Sequence, residues 1–256
     1  MNERILVAPT DLLGDGVFET VHLRRSGPWL LDEHLARLSR SAAIIGLPEP
    51  DLTPVRERVF ESTGALRIIY TRSLLDISVS PFPSAVLRER RDGVRVRSAD
   101  LGISVRRRPP WSIAGAKSLS YGENFAARRW AARQGVDDLI WLSTEGYVLE
   151  APTSSVVWLT GDTLCTVPPE EAGILPGITA AHLLSLAPSL GLHAAERMIT
   201  RPALAAADAI WLASSLRGLA EVTALDGTPR PRSPWTSRLL DLLGFADAPF
   251  RSAADA

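Results

Sequence analysis

The alternation of apolar and polar side chains predicts strands in both halves of the chain. In the N-terminal half, residues 17–23 alternate with a period of two, and residues 66–70 and 74–79 form a predicted strand pair. The predicted strands of the C-terminal half are residues 94–98, 138–143, 156–160 and 209–213. Glycine-containing turns separate several of these strands.

Apolar residues that recur at steps of three and four positions predict the helices. Asp32 is the predicted cap of the first helix, and a second helix is predicted over residues 54–61 with Val55 and Val59 facing inward. Further helices are predicted over residues 124–134, after Pro176-Gly177 and after Pro202.

The irregular order of these helices and strands predicts a mixed α/β (α+β) fold with two domains. We expect a small N-terminal α/β domain over residues 1–80, an interdomain linker over 81–93 and a larger C-terminal domain over 94–256. The linker is indicated by Pro81-Phe82-Pro83 and the charged run that follows. The alanine- and aspartate-rich tail beyond residue 245 is expected to fray.

Composition narrows the functional classes. The 256 residues include 28 basic and 29 acidic side chains, and a net charge of −1 excludes a general attraction to nucleic acid or anionic membranes. No signal pattern and no membrane-spanning apolar stretch occur in the sequence. A single cysteine, Cys165, and four scattered histidines predict neither an internal disulfide nor a metal site. We therefore expect a soluble, cytoplasmic protein.

One residue stands apart in this composition. Of the 28 basic residues 27 are arginine, and Lys117 is the only lysine. An amine can deprotonate, attack a carbonyl and hold a Schiff base, whereas a guanidinium cannot. Codon bias with chance survival explains the count as readily as a chemical role for Lys117.

A lysine that works with pyridoxal phosphate needs a phosphate cradle, an acid for the pyridine nitrogen and a donor for the ring phenolate. Residues 175–182 place a turn and Thr179 directly before a predicted helix, and Ser214-Ser215 follow an apolar strand. Glu150 ends the strand-like stretch 147–149. Taken singly, each feature also fits an ordinary helix start, a turn or a surface carboxylate.

Six segments in order resemble the fold-type IV pyridoxal-phosphate enzymes, the class IV aminotransferase family. That family includes branched-chain and D-amino-acid aminotransferases and aminodeoxychorismate lyase. The segments are Gly-Asp-Gly-Val-Phe-Glu-Thr at 14–20, Asp-Glu-His-Leu-Ala-Arg-Leu at 32–38, Lys-Ser-Leu-Ser-Tyr-Gly-Glu-Asn at 117–124, Glu150, Leu-Pro-Gly-Ile-Thr at 175–179 and Ser-Ser-Leu-Arg-Gly at 214–218. The chain departs from the family pattern at Ser154-Ser155, where the family reads Thr-Ser-Asn, and it lacks the Asp-Arg pair usual before Gly14.

The resemblance implies a role for each matching residue. Lys117 would form the Schiff base and move the proton at the substrate α-carbon, Glu150 would keep the pyridine nitrogen protonated, and Tyr121 would donate to the phenolate oxygen. The expected phosphate ligands are Arg37, the Ile178 amide, Thr179, Ser214 and Ser215. The resemblance also implies a homodimer whose active site lies between two domains and near the partner subunit.

Three functions fit this resemblance. The first is a lyase that converts 4-amino-4-deoxychorismate to 4-aminobenzoate and pyruvate for folate synthesis, and the second is an aminotransferase acting on branched-chain or D-amino acids. The third is a binding protein without catalysis, which the retained Lys117 disfavours. Compact length and residues 214–218 favour the lyase. Its substrate carries two carboxylates, for which the candidate ligands are Arg217 with Leu216, Arg72 and Arg107, and also Arg67, Arg106 and Arg108.

Overall fold

The computed structural model describes residues 8–245. Within this range two β-sheets carry helices on their faces. The helices are α1 (Pro9–Leu12), α2 (Leu31–Ile44), α3 (Thr53–Arg56), α4 (Ser84–Asp92), α5 (Gly122–Arg133), α6 (Pro169–Ala172), α7 (Ile178–Leu186), α8 (Arg201–Ala205) and α9 (Trp235–Leu242). The strands are β1 (Gly16–Arg24), β2 (Gly27–Pro28), β3 (Gly64–Thr71), β4 (Leu75–Ser80), β5 (Val94–Asp100), β6 (Asp138–Leu142), β7 (Ser155–Thr160), β8 (Thr163–Thr166), β9 (His193–Glu196), β10 (Ala209–Ser214), β11 (Gly218–Leu225) and β12 (Thr228–Pro229).

The smaller sheet is antiparallel, in the order β2-β1-β3-β4. Its alternating side chains send one set toward α2, where β1, β3 and α2 form a buried apolar core. The opposite set includes Phe18 and Thr20 of β1 and Arg67 and Ile69 of β3, because Phe18 pairs with Ile69 and Thr20 with Arg67. This second face is the one on which the side chain of Lys117 lies.

The larger sheet has the order β6-β5-β11-β10-β7-β8-β9, with β12 paired to β11. It mixes parallel pairs (β5 with β6 and β11, β8 with β9) with antiparallel ones. Two apolar clusters cover it, one of which includes Ile140 and Ile210 and the other Leu183 and Trp211. Such two-sided burial explains why its strands are more continuously apolar than β1.

The connection between β5 and α5 brings Lys117 to the smaller sheet. Ser118 forms a bridge with Val17, the Phe18 amide donates to the Lys117 carbonyl at 2.9 Å, and the Leu119 amide donates to the Gly16 carbonyl at 2.8 Å. A Cβ at Gly16 would lie 2.6 Å from a methyl carbon of Leu119 and 2.8 Å from one of Thr71. Glycine at this position therefore permits the close approach that seats the lysine segment.

The mixed α/β class and the predicted strands are confirmed, but three local predictions are wrong. Leu30, in a left-handed conformation at φ 54°, is the N-cap of α2 in place of Asp32. The helix predicted over 54–61 ends at Arg56, which leaves Val59 85% exposed. The stretch 147–149 forms isolated bridges and no regular strand.

The predicted linker over 81–93 contains the helix α4, which buries Arg90 against the carbonyls of Leu216 and Arg217. The domain boundaries stay a prediction, and the tail beyond residue 245 lies outside the described residues. No helix within residues 8–245 combines the length and the apolar character needed to cross a membrane.

Candidate active site

Lys117 lies among aromatic rings at the edge of the smaller sheet. Its Nζ is 4.6 Å from the centroid of the Phe18 ring and 5.9 Å from that of Tyr121. The Lys117 amide donates to the Ser41 Oγ of α2 at 3.1 Å, which fixes the backbone. Burial, together with the positive charge of Arg37, lowers the pKa of the Lys117 amine to about 8. A sizeable fraction of the amine is therefore neutral, and hence nucleophilic, near neutral pH.

Glu150 provides the carboxyl group of the site. Its carbonyl accepts from the Trp141 amide at 2.8 Å, which holds this residue against β6, and its Oε1 lies 3.5 Å from the Leu175 amide. Burial raises the pKa of Glu150 to about 7, and the nearby charges of Lys117 and Arg37 oppose this shift. A carboxyl group that gains or loses its proton near neutrality can exchange it with a buried nitrogen base.

Tyr121 keeps its proton in this setting. Burial, with the negative charge of Glu150, raises the pKa of the phenol to about 12. Its hydroxyl donates to the Pro152 carbonyl at 3.2 Å, and its ring meets that of Phe18 edge-to-face with 5.1 Å between centroids. A protonated, positioned phenol is the donor that a phenolate oxygen requires.

Arg37 lies beside the turn that precedes α7. Its Nη1 donates to the Pro176 carbonyl at 2.8 Å, while its Nε and Nη2 donate to the two carboxylate oxygens of Glu19 at 2.7 and 2.8 Å. His34, one turn earlier on α2, approaches the same carboxylate at 2.7 Å. Burial by itself would raise the pKa of Glu19, but Arg37 and His34 outweigh it and lower this pKa to about 2. A buried ionic network thus ties β1 and α2 to the turn.

The turn before α7 has the geometry of an anion site. Gly177 is the N-cap and offers no side-chain acceptor, so the first amides of the helix, at Ile178 and Thr179, have no partner among the described residues. Unpaired amides and the helix dipole at one spot favour a phosphate. A Cβ at Gly177 would overlap the Ser155 Oγ, so the serine packs directly against the turn.

Ser214, the last residue of β10, and Ser215, which follows it, lie near this turn. Ala213 pairs with Ser155 of β7, and Ser155 contacts Gly177, so Ser214 and Ser215 emerge beside the N-terminus of α7. The Ser215 Oγ accepts from the His22 amide at 3.1 Å, which joins the turn between β10 and β11 to β1. The structure therefore brings the two serines to the same end of the larger sheet as the turn before α7.

These groups fit pyridoxal phosphate. The arrangement offers an amine of lowered pKa in Lys117, a carboxyl in Glu150, a protonated phenol in Tyr121 and free amides at the start of α7. A family model for amino-transferase class IV matches residues 16–225. The chain belongs to this family. As a class IV aminotransferase family member it is a pyridoxal-phosphate-dependent enzyme.

Individual relatives of this class IV enzyme agree with that assignment. It is 39% identical over 258 residues to a Mycobacterium tuberculosis protein named bifunctional aminodeoxychorismate lyase / D-amino acid transaminase, with 91% of this chain and 89% of that protein covered. A solved structure described as the PLP-bound form of a hypothetical aminotransferase from Mycobacterium tuberculosis has a TM-score of 0.88 and 38% identity, covering 95% and 94% of the two chains. The 4-amino-4-deoxychorismate lyase of Pseudomonas aeruginosa has a TM-score of 0.79 and 27% identity, covering 94% and 95%.

The structure does not place Arg217 where a substrate could reach it. The side chain is buried and donates from Nε to Glu89 at 2.9 Å, from Nη1 to Ser154 at 2.8 Å and from Nη2 to Asp138 at 3.0 Å. Arg217 is thus a structural cation that joins α4 to the larger sheet, and this geometry does not support its predicted role in substrate binding. Its removal would leave the carboxylates of Asp138 and Glu89 without their counter-charge.

The other predicted substrate ligands also lie outside the group around Lys117. The Arg72 guanidinium is exposed and is 3.4 Å from the Gly46 carbonyl at the end of α2. Arg107 is exposed in the connection between β5 and α5, and the Leu216 carbonyl accepts from Arg90 at 2.7 Å. Within residues 8–245, none of the three forms a hydrogen bond or an ion pair with Lys117, Tyr121 or Glu150.

Sequence reasoning missed Glu19 and His34 and gave Arg67 little weight. Glu19 and Arg67 are charged residues inside predicted strands, and this is a signal that the sequence does contain. His34 precedes Arg37 by three positions on α2, so both face the same partner. Together, the charged strand residues and the spacing of His34 and Arg37 could have predicted the buried network.

Proposed function

We propose that this enzyme converts 4-amino-4-deoxychorismate to 4-aminobenzoate and pyruvate. The observation that carries the proposal is the position of the Lys117 amine, of pKa about 8, against the rings of Phe18 and Tyr121. Flat aromatic walls beside a proton-accepting amine suit a rigid ring that becomes aromatic as it reacts. The name of the 39% identical relative supports the same activity.

Each part of the cofactor would be held by a different group of residues. Glu150 would face the pyridine nitrogen of the cofactor and Tyr121 its phenolate oxygen. The amides of Ile178 and Thr179, with the hydroxyls of Thr179, Ser214 and Ser215, would hold the phosphate. Arg37 would add positive charge there while it fixes the Pro176 carbonyl.

The pyridoxal ring, when bound, supplies an acceptor for the electron pair left at the amine-bearing carbon of the substrate. The neutral Lys117 Nζ takes the proton from that carbon. The carbon–oxygen bond to the enolpyruvyl group then breaks, and the substrate ring becomes aromatic. Lys117 returns the proton to the methylene carbon of the released enolpyruvate, which gives pyruvate. The lowered pKa of Lys117 suits both proton transfers near neutral pH.

Amino transfer to or from D-amino acids is the second candidate. It begins with the same proton transfer to Lys117, and it is favoured by the relative whose name carries both activities. The two outcomes differ in what happens next, because a transaminase returns the proton to the cofactor and releases a keto acid. Branched-chain amino acids are a further possible substrate of the same chemistry.

The products formed without an amino acceptor separate these functions. We expect purified enzyme with bound cofactor to form 4-aminobenzoate and pyruvate in equal amounts from 4-amino-4-deoxychorismate, measured by chromatography. The Lys117→Arg variant is the control and should form neither product. Absence of both products, with rapid formation of glutamate from D-alanine and 2-oxoglutarate, would replace the lyase by the aminotransferase.

We also propose that the enzyme is a cytoplasmic homodimer. The segment that carries Lys117 exposes Trp111 to 79% and also exposes Ile113, and Phe125 is exposed on α5 nearby. Large apolar side chains clustered along one segment favour burial by a second copy. Sedimentation velocity of the purified enzyme should give the mass of two chains, and a monomer at micromolar concentration would contradict this.

A further inference from the structure

We propose that Arg108 is a positioning residue of the cofactor site, which holds the end of α6 and thereby fixes the turn before α7 and Glu150 relative to Lys117. This role rests on the proposed function in one respect, the binding of the cofactor phosphate at that turn. It serves the lyase and the aminotransferase reaction alike, since both need the cofactor in the same place.

The Arg108 side chain reaches from the connection between β5 and α5 to the C-terminal end of α6. Its Nη1 donates to the Glu170 carbonyl at 3.2 Å and its Nη2 to the Glu171 carbonyl at 2.5 Å. Carbonyls at the end of a helix lack a partner within the helix and carry partial negative charge. A guanidinium that bridges two of them is therefore favoured by both hydrogen bonding and charge.

Gly173 provides the space for this guanidinium. A Cβ on the glycine would lie 1.7 Å from the Arg108 Cζ, so the arginine packs directly against the glycine backbone. Gly173 is also left-handed, at φ 62°, a conformation that other residues adopt only at a cost. The amides of Gly173 and Ile174 both donate to the Pro169 carbonyl, which leaves the next two carbonyls of α6 to Arg108.

The chain runs directly from Gly173 into the groups that would meet the cofactor. The Leu175 amide donates to the Glu150 Oε1 at 3.5 Å. Burial raises the pKa of Glu150 to about 7, and this hydrogen bond opposes the rise. The Pro176 carbonyl accepts from Arg37 at 2.8 Å, and the following residue is the N-cap of α7. Displacement of this segment would therefore disturb the contact to Glu150 and the N-terminus of α7 together.

The connection that carries Arg108 also carries Lys117, nine residues further on. On the lysine side it is held to α2, because the Lys117 amide donates to a serine hydroxyl there at 3.1 Å. On the β5 side it is held by the Glu145 carboxylate, which accepts from the Ser104 hydroxyl and, at 3.2 Å, from the Val105 amide. Arg108 lies between these two anchors and adds the contact to α6. The lysine segment and the turn before α7 are thus joined through one side chain.

A comparison of cofactor affinity and stability tests this role without turnover. We expect Arg108→Met, which removes the donors but keeps an unbranched side chain, to raise the Kd for pyridoxal phosphate at least about tenfold. The measurement is equilibrium dialysis of the full-length holoenzyme. The Arg108 Nε is buried without an acceptor among residues 8–245, which offsets part of what its other contacts contribute to stability. The melting temperature of the cofactor-free variant should therefore change little.

Kinetics separate positioning from substrate binding. In Arg108→Met we expect kcat to fall while KM stays within about threefold of the parent value, because the contact lies on the cofactor side. Arg108→Lys should lie between parent and Arg108→Met in both Kd and kcat, since an ammonium keeps the charge without the planar pair of donors. It also carries the test if Arg108→Met does not fold.

Arg107→Met is the matched control, because Arg107 is exposed and its guanidinium forms no hydrogen bond or ion pair within residues 8–245. It should equal the parent in Kd and kcat. A raised KM with unchanged cofactor Kd in the Arg108 variants would make Arg108 a substrate ligand and overturn the proposal. A lowered melting temperature with unchanged Kd and kcat would overturn it as well. The Kd is measured without substrate, so failure of the lyase proposal would remain distinguishable.

Discussion

Lys117→Arg is expected to lose the visible absorption band of the bound cofactor and nearly all turnover. The guanidinium keeps the positive charge beside Phe18 but cannot form the covalent bond to the cofactor or accept a proton at neutral pH. Loss of proton transfer alone lowers turnover by about 10²–10⁴-fold. Absorption spectra and kcat of the purified variant measure both effects.

The composition of the chain offers a stringent control for this prediction. Because Lys117 is the only lysine, the double variant Arg25→Lys with Lys117→Arg keeps one lysine but moves it to an exposed turn. This variant should stay colourless and inactive. A Lys117→Arg enzyme that kept both its band and full activity would show that another amine does the chemistry.

Glu150→Gln is expected to retain the cofactor and lose most of its turnover. An amide cannot hold a proton on the pyridine nitrogen, so the ring becomes a weaker electron acceptor, which costs several kcal/mol in the barrier. That cost corresponds to a fall in kcat of about 10²–10⁴-fold. Glu123→Gln, an exposed acid at the start of α5, is the matched control and should leave kcat unchanged.

The pH dependence of stability gives an independent check on Glu150. Its pKa is raised by burial from 4.5 to about 7, so between these values the folded, cofactor-free protein binds more protons than the unfolded chain. The free energy of unfolding therefore falls as pH rises through this window. In urea titrations, Glu150→Gln should reduce this dependence of the free energy of unfolding on pH. Activity of the variant within a few-fold of the parent would show that Glu150 is a loop carboxylate without a role in catalysis.

The parts of the site that come from one segment could be predicted from the sequence. Lys117 stands out because it is the only lysine, and the turn at residues 175–179 can be recognised from its own residues. The helix α2 was predicted from its apolar spacing, but its cap was not, because Leu30 adopts a left-handed conformation that local propensity disfavours.

The parts that depend on distant contacts could not be predicted in this way. Arg217 looks like a free cation after a strand, yet its partners Glu89 and Asp138 are 128 and 79 residues away along the chain. Arg67 owes its place to the pairing of β3 with β1 and to the lysine segment beside Phe18. Whether a charged residue pairs inside the core or remains free for a ligand depends on which partners the fold brings near it.

The central claim is that Lys117 is the amine that holds the cofactor, and borohydride reduction of the holoenzyme tests it most directly. Reduction fixes the cofactor to its amine, and mass spectrometry of the digested protein then locates the adduct. Only Lys117 and the N-terminal amine of this chain can carry it. We predict one pyridoxyl group per chain on the peptide that contains Lys117. An adduct at the N-terminus alone, or an active holoenzyme with no adduct on Lys117, would contradict the account.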